Sequence, residues 1–337
     1  MTQNTNFSST INISLIVPVY NRPDEVRELL ESLSKQIDMD FELMIVEDGS
    51  TLPCSDEVKA YEGKMKIKYF AKENTGPGIT RNYGYERCTG NYGIFLDSDC
   101  IIPPHYIATV KKSLTNQYVD AFGGPDKADE SFSILQKAID YTMTSFITTG
   151  GIRSGSKKLD KYYPRSFNMG ISREVFESTG GFPAVKFANT KAAGEDIELS
   201  IMIYKAGFKI GYIAEAYVYH KRRTSLKMFL RQVFNFGYAR VSLSRRNKGT
   251  LKMVHLLPLL FTLGTGALLL MSVLFSWKFL WPLMVFSLIV FLDALLKKKS
   301  IRIAGTALLT SYIQLIGYGC GFISGWWELC VLKKENI

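Results

Sequence analysis

The chain has 337 residues, of which 47% are apolar and 21% charged, so its length allows one large domain or two smaller ones. Its net charge of +10 comes from ten Lys and Arg residues between Lys221 and Lys252, a segment without Asp or Glu, which indicates one basic contact surface and not a nucleic-acid-binding protein. The five cysteines form no C-x-x-C pair, which argues against a zinc ribbon and a disulfide framework.

The N-terminal part begins with a polar tail, residues 1–11, that lacks the basic and apolar stretches of a signal peptide. Short apolar runs typical of buried strands then alternate with helical patterns up to residue 220. Pro23 suits the first position of a helix. The alternation predicts an α/β domain with a mostly parallel sheet flanked by helices over residues 12–220. The predicted strands are 12–19, 41–47, 66–70 and 92–97, and a helix is predicted near 77–88.

Acidic residues follow two of these strands. Asp48-Gly49-Ser50 ends the second strand, and Asp97-Ser98-Asp99 ends the strand that begins at Tyr92. Ligands of parallel sheets bind beyond the carboxyl ends of the strands. Two carboxylates spaced i and i+2 suit one Mg²⁺ or Mn²⁺ and the diphosphate that it neutralises, although either tripeptide alone is also common turn chemistry. The first strand is not followed by G-x-G-x-x-G, so a Rossmann dinucleotide site is not expected.

The basic segment, residues 221–252, has the spacing of an amphipathic helix. Its apolar positions share one face, and Lys and Arg occupy the others. We expect this helix to lie on an anionic lipid leaflet; the alternative is a helix packed on the soluble domain. The apolar face consists of Leu226, Phe229, Leu230, Val233 and Gly237.

The last part, residues 253–337, contains three apolar runs that are long enough to cross a membrane: 253–277, 279–296 and 303–327. Lys and Arg cluster before the first run and between the second and third, which predicts a cytoplasmic N-terminal domain. Asp293 lies one helical turn before Lys297, as expected for an ion pair near the headgroups, with a functional intramembrane acid as the alternative.

Six motifs in order resemble those of family 2 glycosyltransferases, which have the type A glycosyltransferase fold. The resemblance covers residues 12 to about 240, and membrane helices follow the domain in many members. The motifs are Val17-Pro18-Val19-Tyr20-Asn21, Val46-Glu47-Asp48-Gly49-Ser50, Asn74 through Arg81-Asn82, Leu96-Asp97-Ser98-Asp99, Asn168-Met169-Gly170 with Gly180-Gly181-Phe182, and Gly194-Glu195-Asp196-Ile197-Glu198-Leu199.

The resemblance implies roles for individual residues. Glu195 and Asp196 would be the catalytic acid pair, with Asp196 as the general base. Asp97 and Asp99 would form the D-x-D motif that holds Mg²⁺ or Mn²⁺, with His220 completing the metal site; alternatively, His220 is an interfacial residue that leads the basic helix. The residues implied to bind the nucleotide sugar are Pro18, Tyr20, Asn21, Asp48, Asn74, Arg81, Asp97 and Asn168.

The expected function is therefore that of a metal-dependent, inverting hexosyltransferase of the cytoplasmic membrane, with its catalytic domain facing the cytoplasm and a role in cell-envelope polysaccharide synthesis. It would move one sugar from a UDP-linked donor to a hydroxyl of a lipid-linked or glycan acceptor, in contact with anionic lipids. Processive synthases carry Q-x-x-R-W after the catalytic domain, whereas this chain has Gln232-Val233-Phe234-Asn235-Phe236. The alternatives are a polyprenyl-phosphate glycosyltransferase, a processive synthase and a non-catalytic nucleotide-sugar sensor.

Overall fold

The structure is a computed structural model that describes residues 10–127, 129, 131–151, 161–183 and 194–333. Contacts between residues divide the chain into two compact units. The described part of the first unit is 10–127, 161–183 and 195–220, and that of the second is 129, 131–151, 194 and 221–333. The second unit thus combines residues 131–151 with the C-terminal helices.

The first unit is built on a seven-stranded sheet and a small three-stranded sheet. The strands, in chain order, are β1 (Ile13–Val19), β2 (Phe41–Asp48), β3 (Lys66–Lys72), β4 (Tyr92–Leu96), β5 (Cys100–Ile101), β6 (Ala121–Gly123), β7 (Asp126–Lys127), β8 (Asn168–Ser172), β9 (Ile210–Tyr212) and β10 (Val218–His220). The larger sheet has the order β3-β2-β1-β4-β8-β6-β9, and the smaller has β5-β10-β7.

The large sheet is mostly parallel. The pairs β1–β2, β2–β3, β1–β4 and β6–β9 are parallel, whereas β8 runs antiparallel to β4 and β6. The predicted fold class, a mostly parallel sheet with flanking helices, is confirmed. Because β1, β2 and β4 are parallel neighbours, the loops after them emerge at one edge of the sheet.

Helices cover both faces of this sheet. Every residue of β2 is buried, as is almost every residue of β1, which explains why both strands are nearly continuous apolar runs in the sequence. One core layer contains Leu15, Leu29 and Leu43, and the layer on the other face contains Ile16 and Phe95. The helices of the first unit are α1 (Pro23–Leu33), α2 (Ser55–Lys59), α3 (Pro77–Glu86), α4 (Tyr106–Asn116), α7 (Arg173–Thr179) and α8 (Glu195–Lys205).

The second unit is helical throughout its described elements. Three of its helical segments, Met253–Leu274, Trp277–Lys298 and Ile301–Val331, are long and apolar enough to cross a membrane, as predicted. Trp327–Val331 continues the third segment as a π-helical turn. The helices are α5 (Ile134–Thr144), α6 (Phe146–Thr149), α9 (Leu226–Arg246), α10 (Leu257–Leu274), α11 (Trp281–Lys298) and α12 (Ile301–Trp326).

The amphipathic helix forms as α9, but its apolar face packs against α12. Gly317, Gly321 and Gly325 follow one another at four-residue spacing on α12 and lie directly against α9, so the two backbones approach closely. Phe229 and Val233 are buried, which differs from the predicted contact with lipid, whereas four basic side chains of α9 are exposed. They are Lys227, Arg231, Arg245 and Arg246.

Two aspartate side chains of the second unit are paired with basic residues. Lys297 Nζ donates to Asp293 Oδ2 across 2.9 Å, which confirms the predicted i,i+4 ion pair, and the hydroxyl of Tyr141 donates to the same oxygen across 2.6 Å. Asp140 is buried between Arg222 NH2, at 3.1 Å, and Lys298 Nζ, at 3.0 Å. The buried carboxylate of Asp140 and the partly exposed carboxylate of Asp293 are therefore both paired with basic side chains.

Candidate active site

The loops that follow β2 and β4 carry the predicted acids, and the parallel pairing of both strands with β1 brings these loops to one edge of the sheet. At the end of β2, Asp48 is 4% exposed, and its carboxylate accepts hydrogen bonds from the backbone N–H groups of Thr75 and Gly76, both at 2.9 Å, and from Lys72 Nζ. Burial alone would raise the pKa of Asp48, but the bonds from Lys72 and Thr75 outweigh it and lower the net pKa. Asp48 is thus held as a carboxylate.

Asn74 closes the same loop. Its side-chain amide donates to the backbone oxygen of Asp48 across 2.8 Å. Gly49 has a φ of +73°, and a Cβ there would lie 2.7 Å from the backbone nitrogen of Asn74, so glycine is required at this position. The Asp48-Gly49-Ser50 turn therefore brings two of the predicted nucleotide-binding residues together.

At the end of β4, Asp97 pairs with Arg81 from α3. Arg81 NH2 donates to Asp97 Oδ1 across 2.6 Å, and the arginine side chain is only 6% exposed. The guanidinium also lies over the ring of Phe182, 5.3 Å from its centroid. A buried cation is thus fixed next to the first acid of the D-S-D motif.

Asp99 lies between two nitrogen groups from distant parts of the chain. Arg22 NH1 donates to Asp99 Oδ2 across 3.2 Å, and His220 Nε2 lies 3.0 Å from Asp99 Oδ1 and 3.9 Å from Asp97 Oδ2. The antiparallel pairing of β10 with β5 places His220 opposite Cys100, the residue after Asp99. Phe167 stacks on the imidazole with ring centroids 4.7 Å apart and fixes its plane.

This donor set fits a divalent cation. Ligand atoms of Asp99, Cys100 and His220 lie within 4.8 Å of one another, and Asp97 is adjacent to His220. Burial, and then the charge of Asp99, raise the pKa of the Cys100 thiol well above its ordinary value, so without a cation the thiol is protonated. The remaining donors are carboxylate oxygens and one imidazole nitrogen, which suit Mn²⁺ and, through the carboxylates, Mg²⁺.

The predicted acid pair begins α8. Asp196 Oδ1 accepts a hydrogen bond from the N–H of Ile197 across 2.8 Å, and Arg165 NH1 lies 3.5 Å from Asp196 Oδ2. A carboxylate in the first turn of a helix is stabilised in its charged form by the helix dipole. Asp196 therefore lies at the N-terminus of α8, with the guanidinium of Arg165 beside it.

Glu195 faces the first turn of α3. A Cβ added at Gly78 would lie 2.6 Å from Glu195 Oε2, so the carboxyl group packs directly on this glycine. Burial raises the pKa of Glu195, Arg81 opposes that change, and the charge of Asp196 adds to it. Because Arg81 acts on both Glu195 and Asp97, the acid pair and the D-S-D loop share one electrostatic environment.

The residues after β1 lie at the same edge of the sheet. Asn21 has a φ of +54°, and its side-chain oxygen accepts hydrogen bonds from the N–H groups of Thr51, at 2.7 Å, and Leu52, at 2.9 Å. It joins the loop after β1 to the loop after β2. Tyr20 is 52% exposed, and Pro18 is half-buried.

Asn168 does not present its side chain to this site. The residue is 0% exposed, its Oδ1 accepts a hydrogen bond from the hydroxyl of Tyr106 across 2.6 Å, and its Nδ2 donates to the carbonyl oxygen of Ala216 across 2.8 Å. These hydrogen bonds hold β8 in place, whereas the sequence analysis implied that Asn168 binds the nucleotide sugar.

Four residues of the site were not singled out by the sequence: Arg22, Lys72, Arg165 and Phe167. Lys72 ends β3, and Arg22 lies in the loop after β1. Both strands are parallel to β2, so these basic residues lie at the same sheet edge as the predicted acids, and this was a usable signal. Arg165 and Phe167 lie in an irregular segment before β8, where no periodic pattern marks them.

We compared the sequence and the fold with those of known proteins. A sequence model of glycosyl transferase family 2 matches residues 14–180. An uncharacterized glycosyltransferase of Rickettsia bellii is 40% identical over 87 residues, which is 26% of this chain and 13% of that protein. The glycosyltransferase GlyA of Streptococcus pneumoniae is 36% identical over 109 residues, 32% of this chain and 16% of its own length. The chain thus matches less than a fifth of the length of these relatives.

Among solved structures, the mannosyltransferase PcManGT from Pyrobaculum calidifontis, determined in complex with GDP-Man and Mn²⁺, superposes with a TM-score of 0.68. The two chains are 16% identical, and the match covers 95% of this chain and 88% of the other. At this identity the likeness shows a shared fold.

Proposed function

We propose that this protein, which belongs to glycosyl transferase family 2 through residues 14–180, is a membrane-bound inverting glycosyltransferase that moves one sugar from a nucleoside-diphosphate donor to an acceptor hydroxyl. The observation that carries the proposal is the shared environment of two acid groups. The D-S-D loop and the acid pair of α8 both interact with the buried Arg81. The D-S-D loop is suited to binding the donor, and the acid pair of α8 is suited to activating the acceptor.

The donor would bind at the edge formed by the loops after β1, β2 and β4. Asp48 and Asn74, which are hydrogen-bonded to each other, would contact the nucleoside, and the exposed ring of Tyr20 on the neighbouring loop would contribute. A nucleotide sugar as donor is supported by PcManGT, which shares the fold and binds GDP-Man. The family motifs favour UDP as the nucleotide.

Asp99 and His220, with Asp97, would hold Mg²⁺ or Mn²⁺. A divalent cation in this position supplies positive charge to the diphosphate as it leaves. Arg81 adds a fixed guanidinium to the same region, and because it is 6% exposed its interaction with a developing charge is weakly screened. Phe167 keeps the imidazole of His220 oriented towards Asp99.

Asp196 would act as the general base on the acceptor hydroxyl. An inverting transfer needs one carboxylate that accepts the acceptor's proton while the sugar is displaced from the opposite side. Asp196 is 16% exposed and hydrogen-bonded to the start of α8, so it is positioned and still reachable. Glu195, packed on Gly78, would keep the start of α8 against α3.

The acceptor would be a lipid-linked molecule or glycan at the cytoplasmic face of the inner or plasma membrane. The three membrane-spanning helices support a membrane-held acceptor, and the position of the Lys and Arg clusters supports a cytoplasmic first unit. The exposed basic side chains of α9 would interact with anionic lipids. A contribution to cell-envelope polysaccharide synthesis follows from such an acceptor.

A polyprenyl-phosphate acceptor is the second candidate, and Arg165 is the observation that favours it. Its guanidinium lies beside Asp196 and is 31% exposed, so it is available to an incoming phosphate. A phosphate nucleophile is already ionised and needs no strong base. The two candidates therefore differ in how much they depend on Asp196.

The test uses the full chain, purified in detergent and incubated with a panel of UDP- and GDP-sugars with Mg²⁺, with Mn²⁺ or with EDTA. Release of one nucleoside diphosphate, dependent on the cation, is the expected result. Asp99→Asn should abolish that release, and Asp56→Asn, at an exposed position of α2, serves as the control. Equal release in EDTA would contradict the metal site, and no release from any donor would contradict the proposed function.

A further inference from the structure

Each acid of the D-S-D motif is paired with its own arginine. Asp97 Oδ1 lies 2.6 Å from Arg81 NH2, and Asp99 Oδ2 lies 3.2 Å from Arg22 NH1. The two carboxylates and the two guanidinium groups together carry no net charge. A cation arriving alone would therefore compete with an arginine for each of these carboxylates.

Arg22 differs from Arg81 in its freedom to reach a ligand. Arg81 is 6% exposed and lies against Phe182, whereas the side chain of Arg22 is 33% exposed. The backbone of Arg22 is fixed, because its carbonyl oxygen accepts the first hydrogen bond of α1, from the N–H of Val26 at 3.1 Å. Its side chain is tethered by Glu25, whose Oε2 lies 2.9 Å from NH1. The guanidinium is thus tethered by Glu25 and still partly exposed to solvent.

Arg22 donates to both Glu25 and Asp99 through NH1. A guanidinium carries five N–H donors in one plane, so Arg22 can hold a carboxylate and bind an oxyanion at the same time. A divalent cation adds two positive charges to the neutral group of four side chains. That charge is the complement of a sugar diphosphate, which carries about two negative charges.

We propose that Arg22 is a further diphosphate-binding residue, which pairs with Asp99 in the free protein and makes the cation enter together with the diphosphate. The inference rests on the proposed function, since it assumes the cation site at Asp99. Arg22 weakens the binding of a cation alone, because it is itself positively charged and because it pairs with Asp99, a ligand of the cation. It favours the cation–diphosphate complex, because its remaining donors meet the phosphate oxygens.

The test compares two titrations on the full chain in detergent. Mn²⁺ alone is titrated by the electron paramagnetic resonance signal of the free ion, and UDP in the presence of Mn²⁺ is titrated by calorimetry. Arg22→Ala should bind Mn²⁺ alone about three- to tenfold more tightly than the wild type and Mn²⁺ with UDP about tenfold more weakly. Arg22→Lys keeps the charge without the planar fork, so it should match the wild type for Mn²⁺ alone and lose affinity for UDP.

Arg27→Ala is the matched control. Arg27 lies on α1, which directly follows Arg22. Its side chain is 58% exposed, and it pairs with Asp24 and Glu57. It should leave both titrations unchanged. Unchanged titrations for Arg22→Ala, or a parallel loss in both, would overturn the inference, since a residue that only orients Asp99 would weaken both together. A wild-type protein that binds neither UDP nor GDP with Mn²⁺ would refute the proposed function as well.

Discussion

Gly321 of α12 lies directly against the backbone carbonyl of Phe234 in α9. Gly317 and Gly325 make similar approaches one turn to either side, and Gly237 of α9 faces the backbone of α12 at Tyr318 and Phe322. Small residues at four-residue spacing allow two helices to pack backbone to backbone, where dispersion contacts are dense. Helix α12 therefore packs against the amphipathic helix α9 at these glycines.

Gly321→Ala should destabilise the protein by roughly 1–3 kcal/mol, because the added Cβ cannot be accommodated without separating the helices. Gly305→Ala on the same helix is the matched control, since a Cβ there meets no atom within 4 Å. Alanine is the better helix former, so the control should be neutral or up to about 1 kcal/mol more stable. Thermal unfolding in detergent measures both. Equal stability of the two variants would mean that α9 and α12 are not packed in this way.

Glu42 gives a prediction for the pH dependence of stability. Burial would raise its pKa, but hydrogen bonds from Ser14, Thr89 and Lys68 outweigh burial and lower the pKa from 4.5 to about 2. The unfolded chain then binds more protons below pH 4.5, so the stabilising contribution is complete above that value and is lost as the pH falls towards 2.

Glu42→Gln should therefore cost about 2–3 kcal/mol at neutral pH, and the difference from the wild type should shrink near pH 3. Denaturant unfolding at both pH values measures it. Asp40→Asn, at a side chain that is 67% exposed, is the control and should have little effect at either pH. A difference for Glu42→Gln that is equally large at pH 3 would contradict the account.

The exposed basic residues of α9 should make activity depend on acidic lipid. In nanodiscs, transfer by the wild type should be faster with acidic than with neutral lipid and should slow as salt rises, because each Lys or Arg near an anionic surface contributes about 1 kcal/mol. Replacing four of them by Gln should remove that dependence without lowering donor hydrolysis. The four are Lys227, Arg231, Arg245 and Arg246.

A control for this experiment removes the same number of charges from the first unit. Its positions are exposed lysines of loops, helix ends and the edge strand β3: Lys35, Lys59, Lys64 and Lys66. This variant should keep the lipid dependence of the wild type. If both variants behave alike, the effect is one of net charge, and α9 is not a lipid-binding surface.

Local patterns predicted the parts of the site that follow strands. The runs that form β1, β2 and β4 are short, apolar and stopped by turn residues, so Asp48, Asp97 and Asp99 were placed at the sheet edge from the sequence. The position of His220 depends on β10 pairing with β5, which lies about 120 residues earlier. Such long-range pairing leaves no periodic signal in a single sequence.

Two other features could not be predicted from the sequence, for the same reason. The spacing in α9 predicts an apolar face but not what covers it, and the structure covers it with α12. Asn168 has the position expected of a ligand, yet its amide is used by Tyr106 and Ala216, partners that only the folded chain brings near. A residue's identity in a motif therefore did not determine where its side chain points.

The base assigned to Asp196 is the centre of the account, and Asp196→Asn tests it most directly. Turnover should fall about 10²- to 10⁴-fold, while binding of UDP with Mn²⁺ stays within about twofold, because a general base acts in the transfer step and not in donor binding. Glu177→Gln, at an exposed position of α7, is the control and should keep wild-type turnover. The measurement is kcat for transfer to the native membrane acceptor together with the Kd for UDP. Near wild-type kcat in Asp196→Asn would contradict the hydroxyl acceptor and favour a phosphate nucleophile instead.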